Sequence, residues 1–155
     1  MEWGGKEGED VSQGNDEGAA LAPTAERDRL GIMGWSHGGC IRRQASWRRP
    51  ELYKAAVTIV PVADMQTRMQ THDAAYHRLF AMQKAYGGTI EQNPKPYLER
   101  SPITHERELK VPLLVHAADN DSDVFIPENR HLRDSMVVAG KDPAWLYAYR
   151  EWHNP

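Results

Sequence analysis

The sequence predicts an α/β fold in which a mostly parallel sheet is covered by helices on both faces. Four short apolar runs bounded by turn residues predict buried strands, and they span residues 29–35, 54–62, 111–117 and 145–151. Segments with helical or loop character separate the runs, and strands that alternate with helices are typical of a parallel sheet. The runs are continuously apolar rather than alternating, which indicates strands that are buried on both faces.

The segments between the strands carry signals for helices and loops. Residues 39–49, 72–86 and 127–139 predict helices, the last with a proline in its first turn. Residues 63–71 predict a loop, and 89–110 predict a proline-rich connection that contains a short helical turn.

The N-terminal segment, residues 1–28, differs in character from the rest of the chain because glycines and acidic residues dominate it. A helix over residues 9–21 would contain Gly14 and Gly18, each of which costs about 1 kcal/mol relative to alanine. We therefore expect a poorly ordered segment with a marginal helix at residues 1–28, followed by the folded unit at 29–155.

The composition argues against several classes of protein. A net charge of −3 gives no electrostatic reason to expect nucleic acid as a partner. No apolar run approaches the length that spans a membrane, and the first twenty or so residues lack the apolar region of a signal peptide. The chain contains one cysteine, Cys40, which excludes an intrachain disulfide and fits a reducing compartment such as the cytoplasm.

The strongest motif is G-x-S-x-G at residues 34–38, directly after the first predicted strand. A serine on such a strand-to-helix turn projects its hydroxyl from the sheet, and the flanking glycines let the backbone pass closely. Ser36 is therefore the predicted nucleophile, and the backbone N–H of His37 is the predicted oxyanion donor. The motif predicts an α/β-hydrolase. Trp35 and Tyr76 are predicted to line the substrate pocket, on position alone.

Polar candidates follow two of the other predicted strands. His153 follows the fourth strand, and an acidic loop with Asp119, Asp121 and Asp123 follows the third. Because functional groups gather at the carboxyl ends of parallel strands, these side chains and Ser36 are expected at one edge of the sheet. His153 is the predicted general base, and one of the three aspartates is expected to hold the imidazole in its working tautomer.

The sequence predicts neither a metal nor a cofactor. The loop at 119–123 resembles the start of a calcium-binding loop, but Val124 stands where such a loop requires glycine. Arg130 stands where the loop requires a glutamate with two coordinating oxygens. The histidines show no spacing that is typical of a metal site.

With these residues in view, the chain resembles the C-terminal part of the catalytic domain of the prolyl oligopeptidase family. The similarity lies in RLGIMGWSHGG at 29–39, YKAAVTIVPVADM at 53–65 and PLLVHAADNDSDV at 112–124. The resemblance implies a serine peptidase that acts through an acyl-enzyme on Ser36, with a peptide or a small ester as substrate. It also implies Asp121 as the acid, because Val124 lies three residues beyond it as in the family, and it leaves Asp119 as second choice.

The resemblance covers only part of the family domain. The family strands that precede the nucleophile strand, and the second oxyanion donor that they supply, have no counterpart in this sequence. The outer edge of the nucleophile strand is therefore expected to have no partner within the chain, and dimerisation, other pairing through this edge, aggregation or marginal stability is expected when the chain is expressed alone. Loss of one oxyanion donor costs about 10²–10³ in turnover, so weak activity is expected.

Two alternatives to the peptidase remain open at this stage. One is an esterase or an enzyme similar to dienelactone hydrolase, a family that commonly uses a cysteine nucleophile where this chain has Ser36. The other is a truncated, inactive remnant that serves only as an assembly partner. Substrate profiling separates the first alternative from a peptidase, and labelling of the serine separates the second.

Overall fold

The computed structural model describes residues 7–22, 24, 26–40 and 50–148 of the 155 residues. Four parallel strands form one sheet in the order β1-β2-β3-β4. The strands are β1 Leu30–Trp35, β2 Tyr53–Ile59, β3 Leu113–Ala118 and β4 Ala144–Ala148. The predicted α/β fold and its parallel sheet are confirmed. Residues 149–151 of the fourth predicted strand lie outside the described residues.

The second strand is shorter than the prediction of 54–62. It ends at Ile59 because Val60 has a φ of 39°, in the left-handed region that a β-branched residue rarely adopts. The N–H of Val60 donates to the carbonyl oxygen of His116 at 2.8 Å, which fixes this turn against the neighbouring strand. The hydrogen bonding between β2 and β3 therefore extends one residue beyond the end of β2, and the chain turns at Val60.

The described residues contain five α-helices besides the turn that follows β1, and two 3₁₀ helices, Arg27–Arg29 and Pro102–Glu108. The α-helices are α1 Glu7–Leu21, α2 Met65–Thr71, α3 Ala74–Ala81, α4 Pro94–Arg100 and α5 Ile126–Val138. Residues 37–40 are helical as well, and the remainder of the helix predicted at 39–49 lies outside the described residues. None of the helices within the described part of the chain is both long and apolar enough to cross a bilayer.

The loop predicted at 63–71 is wrong, and the helix predicted at 72–86 is present but shorter, over Ala74–Ala81. Two short helices occupy this region, because an aspartate caps the N-terminus of each. The carboxylate of Asp64 accepts from the N–H of Gln66, and that of Asp73 accepts from the N–H of Tyr76. His72 between them is extended, with φ −105° and ψ 164°, and this separates α2 from α3.

Two apolar clusters hold the elements together. One contains β2 and β3 residues packed against α5, including Tyr53, Val115, Leu132 and Met136. The other lies beyond the strand ends and joins the turn after β2 to α2, α3 and α4, with Phe80 and the rings around it near its centre. The second cluster therefore supports the segments that surround the carboxyl ends of the strands.

Candidate active site

Ser36 occupies the sharp turn between β1 and the helical residues 37–40. Its φ is 51°, a left-handed conformation that costs a non-glycine residue about 1–3 kcal/mol and persists only where the surroundings enforce it. Its N–H donates to the carbonyl oxygen of Ile59 at 2.8 Å, and its own carbonyl accepts from the N–H of Gly39 at 2.9 Å and of Val62 at 3.3 Å. These bonds hold the predicted nucleophile in its strained conformation.

The glycines of the motif are explained by close backbone approach. A Cβ on Gly34 would lie 2.1 Å from the carbonyl oxygen of Gly38, and a Cβ on Gly39 would lie 2.6 Å from Oγ1 of Thr58. A Cβ on Gly38, in contrast, would meet nothing within 4 Å. Gly34 and Gly39 are therefore required by packing, whereas Gly38 is not.

His37, the predicted oxyanion donor, is the first helical residue after the serine. Its N–H therefore belongs to the first turn of a helix, where backbone N–H groups are directed away from the helix body. Burial lowers the pKa of its imidazole, and Arg68 lowers it further, while Glu7 at 3.7 Å from Nε2 offsets part of this shift. The net shift favours the neutral imidazole, and the proposed contribution of His37 is its backbone N–H.

The strand register brings the candidate segments to one edge of the sheet. Trp35 pairs with Ile59, and Ile59 pairs with His116, so Ser36 and the acidic loop after β3 both follow strands that end at a similar level. This is the arrangement that the sequence predicts for groups at the carboxyl ends of parallel strands.

The three acidic candidates differ sharply in their surroundings. Asp121 is buried, and its Oδ1 accepts from the N–H groups of Asp123 and Val124, both at 2.8 Å. Asp119 forms a long ion pair of 3.6 Å with Arg130. Asp123 is bound by Arg68 through both carboxylate oxygens. A triad acid is a buried, oriented carboxylate, and among the three Asp121 has these properties.

The remaining predicted site residues are placed as follows. Trp35 ends β1 and is 40% exposed. Tyr76 is half-buried on α3, where its hydroxyl accepts from Nε of Arg68 at 2.5 Å and its ring lies 4.2 Å from that of His72. His153 lies outside the described residues, so its part in the triad stays a prediction.

Arg68 is the residue of this region that sequence reasoning missed. It lies on α2 and is 1% exposed. Its Nη2 donates to both carboxylate oxygens of Asp123 at 3.0 Å, and its Nη1 donates to the carbonyl oxygen of Asp123 and to Oε2 of Glu128, each at 3.3 Å. Burial opposes its charge, but Glu128, Tyr76 and Asp123 outweigh that effect and raise the pKa of the guanidinium. No local pattern marked it, since its partners are distant in sequence.

Glu128 on α5 forms the other half of this buried pair. Its Oε1 accepts from the N–H of Ala63 at 2.6 Å and from the N–H of Asp64 at 3.0 Å. Burial raises the pKa of its carboxyl to about 7, although Arg68 and the two amides favour the ionised form. The carboxyl of Glu128 thus joins α5 to the segment that follows β2.

A metal centre finds no support in the described part of the chain. No group of three or more histidine, cysteine, aspartate or glutamate side chains is arranged there to hold an ion. The acidic loop instead directs its carboxylates to backbone N–H groups and to arginines.

A strained serine turn that follows a strand of a parallel sheet, together with the helices between the strands, places the chain in the α/β-hydrolase class. A solved structure of a putative dipeptidyl aminopeptidase IV from Bacteroides ovatus has the same fold, with a TM-score of 0.81 and 27% identity over 99% of this chain and 20% of that one. The chain belongs to the prolyl oligopeptidase family, whose model matches residues 1–154.

Curated relatives agree with this family. Dipeptidyl peptidase family member 2 of Caenorhabditis elegans is 30% identical over 131 residues, which cover 83% of this chain and 15% of that protein. Dipeptidyl aminopeptidase BIII of Pseudoxanthomonas mexicana is 28% identical over 137 residues, which cover 87% of this chain and 20% of that protein. The chain therefore spans about a fifth or less of the length of these two relatives.

Proposed function

We propose that this protein is a serine hydrolase that cleaves peptide bonds through an acyl-enzyme on Ser36. The observation that carries the proposal is the serine turn itself, with φ 51° at Ser36 and a glycine at position 34 that no larger residue could replace without a clash. The names of the relatives, which are peptidases, favour a peptide over an ester substrate.

The proposed steps assign one role to each group. Oγ of Ser36 attacks the scissile carbonyl and gives its proton to His153, while the N–H of His37 donates to the oxygen that becomes negative. His153 then gives the proton to the leaving amine. A water molecule attacks the acyl-enzyme by the same route and restores the serine. In this scheme the carboxylate of Asp121 accepts from the imidazole of His153 and keeps its other ring nitrogen directed at the serine.

The triad is tested by labelling the purified chain with a fluorophosphonate and following the adduct by intact mass. We expect one adduct on the parent chain and none on Ser36→Ala, because the probe reacts only with an activated serine. His153→Ala should react as weakly as the serine variant. A folded parent chain that takes up no label would contradict the proposal.

Matched variants of the acidic loop decide which carboxylate serves the triad. Asp121→Asn should lower the labelling rate constant by about a hundredfold or more, since a wrongly oriented imidazole is a poor base. Asp119→Asn is the control and should label at nearly the parent rate. If Asp119→Asn labels much more slowly than Asp121→Asn, the triad acid is Asp119 instead. Cleavage of matched peptide and ester substrates then separates a peptidase from an esterase.

We also propose that β1 pairs with β1 of a second copy of this chain. Among the described residues no strand pairs with the outer edge of β1, and Met33 on this strand is 70% exposed. Met33→Lys should shift sedimentation from dimer towards monomer, because a charged side chain on an edge strand opposes pairing. Met82→Lys is the control, since Met82 is 78% exposed but lies away from the sheet. A parent chain that sediments as a monomer at all concentrations would refute the pairing.

The proposed compartment is the cytoplasm. Its support is the cysteine content, since Cys40 is the one cysteine of the chain and is buried as a free thiol.

A further inference from the structure

Each of the three nitrogens of the guanidinium of Arg68 has at least one acceptor. Nε donates to the hydroxyl of Tyr76, Nη1 donates to the backbone oxygen of Asp123 and to Glu128, and Nη2 donates to the carboxylate of Asp123, at equal distance from its two oxygens. An arginine presents its N–H groups in one rigid plane, so a guanidinium that is bonded at all three nitrogens has one orientation. The groups that surround Arg68 are therefore held in fixed positions relative to one another.

These groups belong to segments that follow two different strands. Arg68 and Tyr76 lie on α2 and α3, after β2, whereas Asp123 lies in the loop after β3 and Glu128 on α5. The side chain of Arg68 is 2% exposed, so water competes little for its bonds. His72 adds a further contact, because its Nδ1 lies 3.0 Å from the carbonyl oxygen of Arg68 and its Nε2 lies 3.6 Å from Oδ1 of Asp123.

Asp123 connects the guanidinium of Arg68 to Asp121, the candidate triad acid. Its side chain and its carbonyl oxygen are bound by Arg68, and its own N–H donates to Oδ1 of Asp121. The same Oδ1 accepts from the N–H of Val124. The two backbone N–H groups that orient the carboxylate of Asp121 therefore lie in the segment that Arg68 holds.

We infer that Arg68 is a positioning residue for the reaction, which sets the carboxylate of Asp121 by fixing the backbone of residues 121–124. The inference rests on the proposed function, in which Asp121 is the triad acid. It assigns no contact with substrate to Arg68, which is too buried to reach one.

The experiment compares Arg68→Met with Arg78→Met, an exposed arginine on α3 that serves as the matched control. Amide hydrogen exchange reports on the N–H groups of Asp123 and Val124, and fluorophosphonate labelling reports on the serine. We expect Arg68→Met to speed exchange at both amides by about tenfold or more, while β2 and β3 stay protected. We also expect its maximal labelling rate constant to fall at least about tenfold with little change in the concentration for half-maximal rate, since orientation is lost and binding is not.

A second variant, Asp123→Ala, tests the same inference if Arg68→Met does not fold. Asp123→Ala removes the carboxylate of a side chain that is 40% exposed and leaves the pair of Arg68 with Glu128 in place. Asp123→Ala should also speed amide exchange at residues 123 and 124 and lower the maximal labelling rate constant, but by less than Arg68→Met does. The inference would be overturned if amide exchange at residues 123 and 124 were unchanged in both variants. It would also be overturned if exchange became faster while the labelling rate constant stayed the same. A different result would refute the proposed function alone. In that case the parent chain takes up no label, while Arg68→Met still speeds amide exchange in residues 121–124 and so shows that Arg68 fixes this loop.

Discussion

Gly34→Ala is expected to unfold the serine turn and to lower the free energy of unfolding by at least about 3 kcal/mol. The new methyl carbon would lie 2.1 Å from the oxygen and 2.5 Å from the carbon of the Gly38 carbonyl. Both are backbone atoms, so no side-chain rotation can relieve the clash. The chain must move β1 away from the helical residues 37–40, and this breaks the bonds that hold Ser36 at its positive φ.

Gly38→Ala is the matched control within the same motif. Its methyl group would meet nothing within 4 Å, and the residue is helical, where alanine is favoured over glycine by up to about 1 kcal/mol. Urea unfolding of both variants beside the parent chain measures the contrast. Equal stability of Gly34→Ala and Gly38→Ala would show that the close approach at Gly34 is not a feature of the folded protein.

Glu128→Ala is expected to cost about 3–5 kcal/mol at pH 5, a large share of the 5–15 kcal/mol that stabilises a typical domain. The change removes the acceptor of the N–H groups of Ala63 and Asp64 and of Nη1 of Arg68, and each buried donor left without a partner costs about 1–3 kcal/mol. Glu99→Ala is the control, because its pair with Lys95 is exposed and such pairs contribute less than about 0.5 kcal/mol.

The cost of Glu128→Ala should depend on pH in a defined direction. Burial raises the pKa of the Glu128 carboxyl to about 7 from the usual 4.5, so the folded protein holds this proton more tightly than the unfolded chain does. The stability that the protonated carboxyl contributes is complete below about pH 4.5 and is lost as the pH rises through about 7. The difference between parent and variant should therefore shrink from pH 5 to pH 8, by up to about 3 kcal/mol. A difference that grows with pH would mean that the pair with Arg68 dominates over burial.

The local motif predicted the serine turn because its requirements are local. Gly34 approaches the carbonyl of Gly38 four residues later, and the carbonyl of Ser36 accepts from the N–H of Gly39, so the spacing of the motif is itself the steric condition. The apolar runs predicted the strands for a similar reason, since a strand buried on both faces needs apolar residues throughout. The end of β2 was missed because the turn at Val60 depends on a bond to His116 from another strand.

Local patterns failed where a polar residue is buried against distant partners. Residues 63–71 predicted a loop, yet residues 65–71 form α2, with Met65 and Met69 in the core and Arg68 buried beside them. A buried arginine is stable only with countercharges, and its partner Glu128 is 60 residues away. A pattern in a short stretch of sequence therefore never includes both Arg68 and Glu128.

The sequence by itself determined the fold class, the order of the strands along the chain, the place of the serine turn and the family. Those features follow from periodicity and from motifs whose parts are near one another. The family resemblance favoured Asp121 and left Asp119 as second choice. Only the tertiary structure showed how the surroundings of the three acids differ, because backbone N–H groups and arginines from other segments contact each of them differently. The same holds for Arg68, whose role depends on side chains that parallel strands bring together from distant parts of the chain.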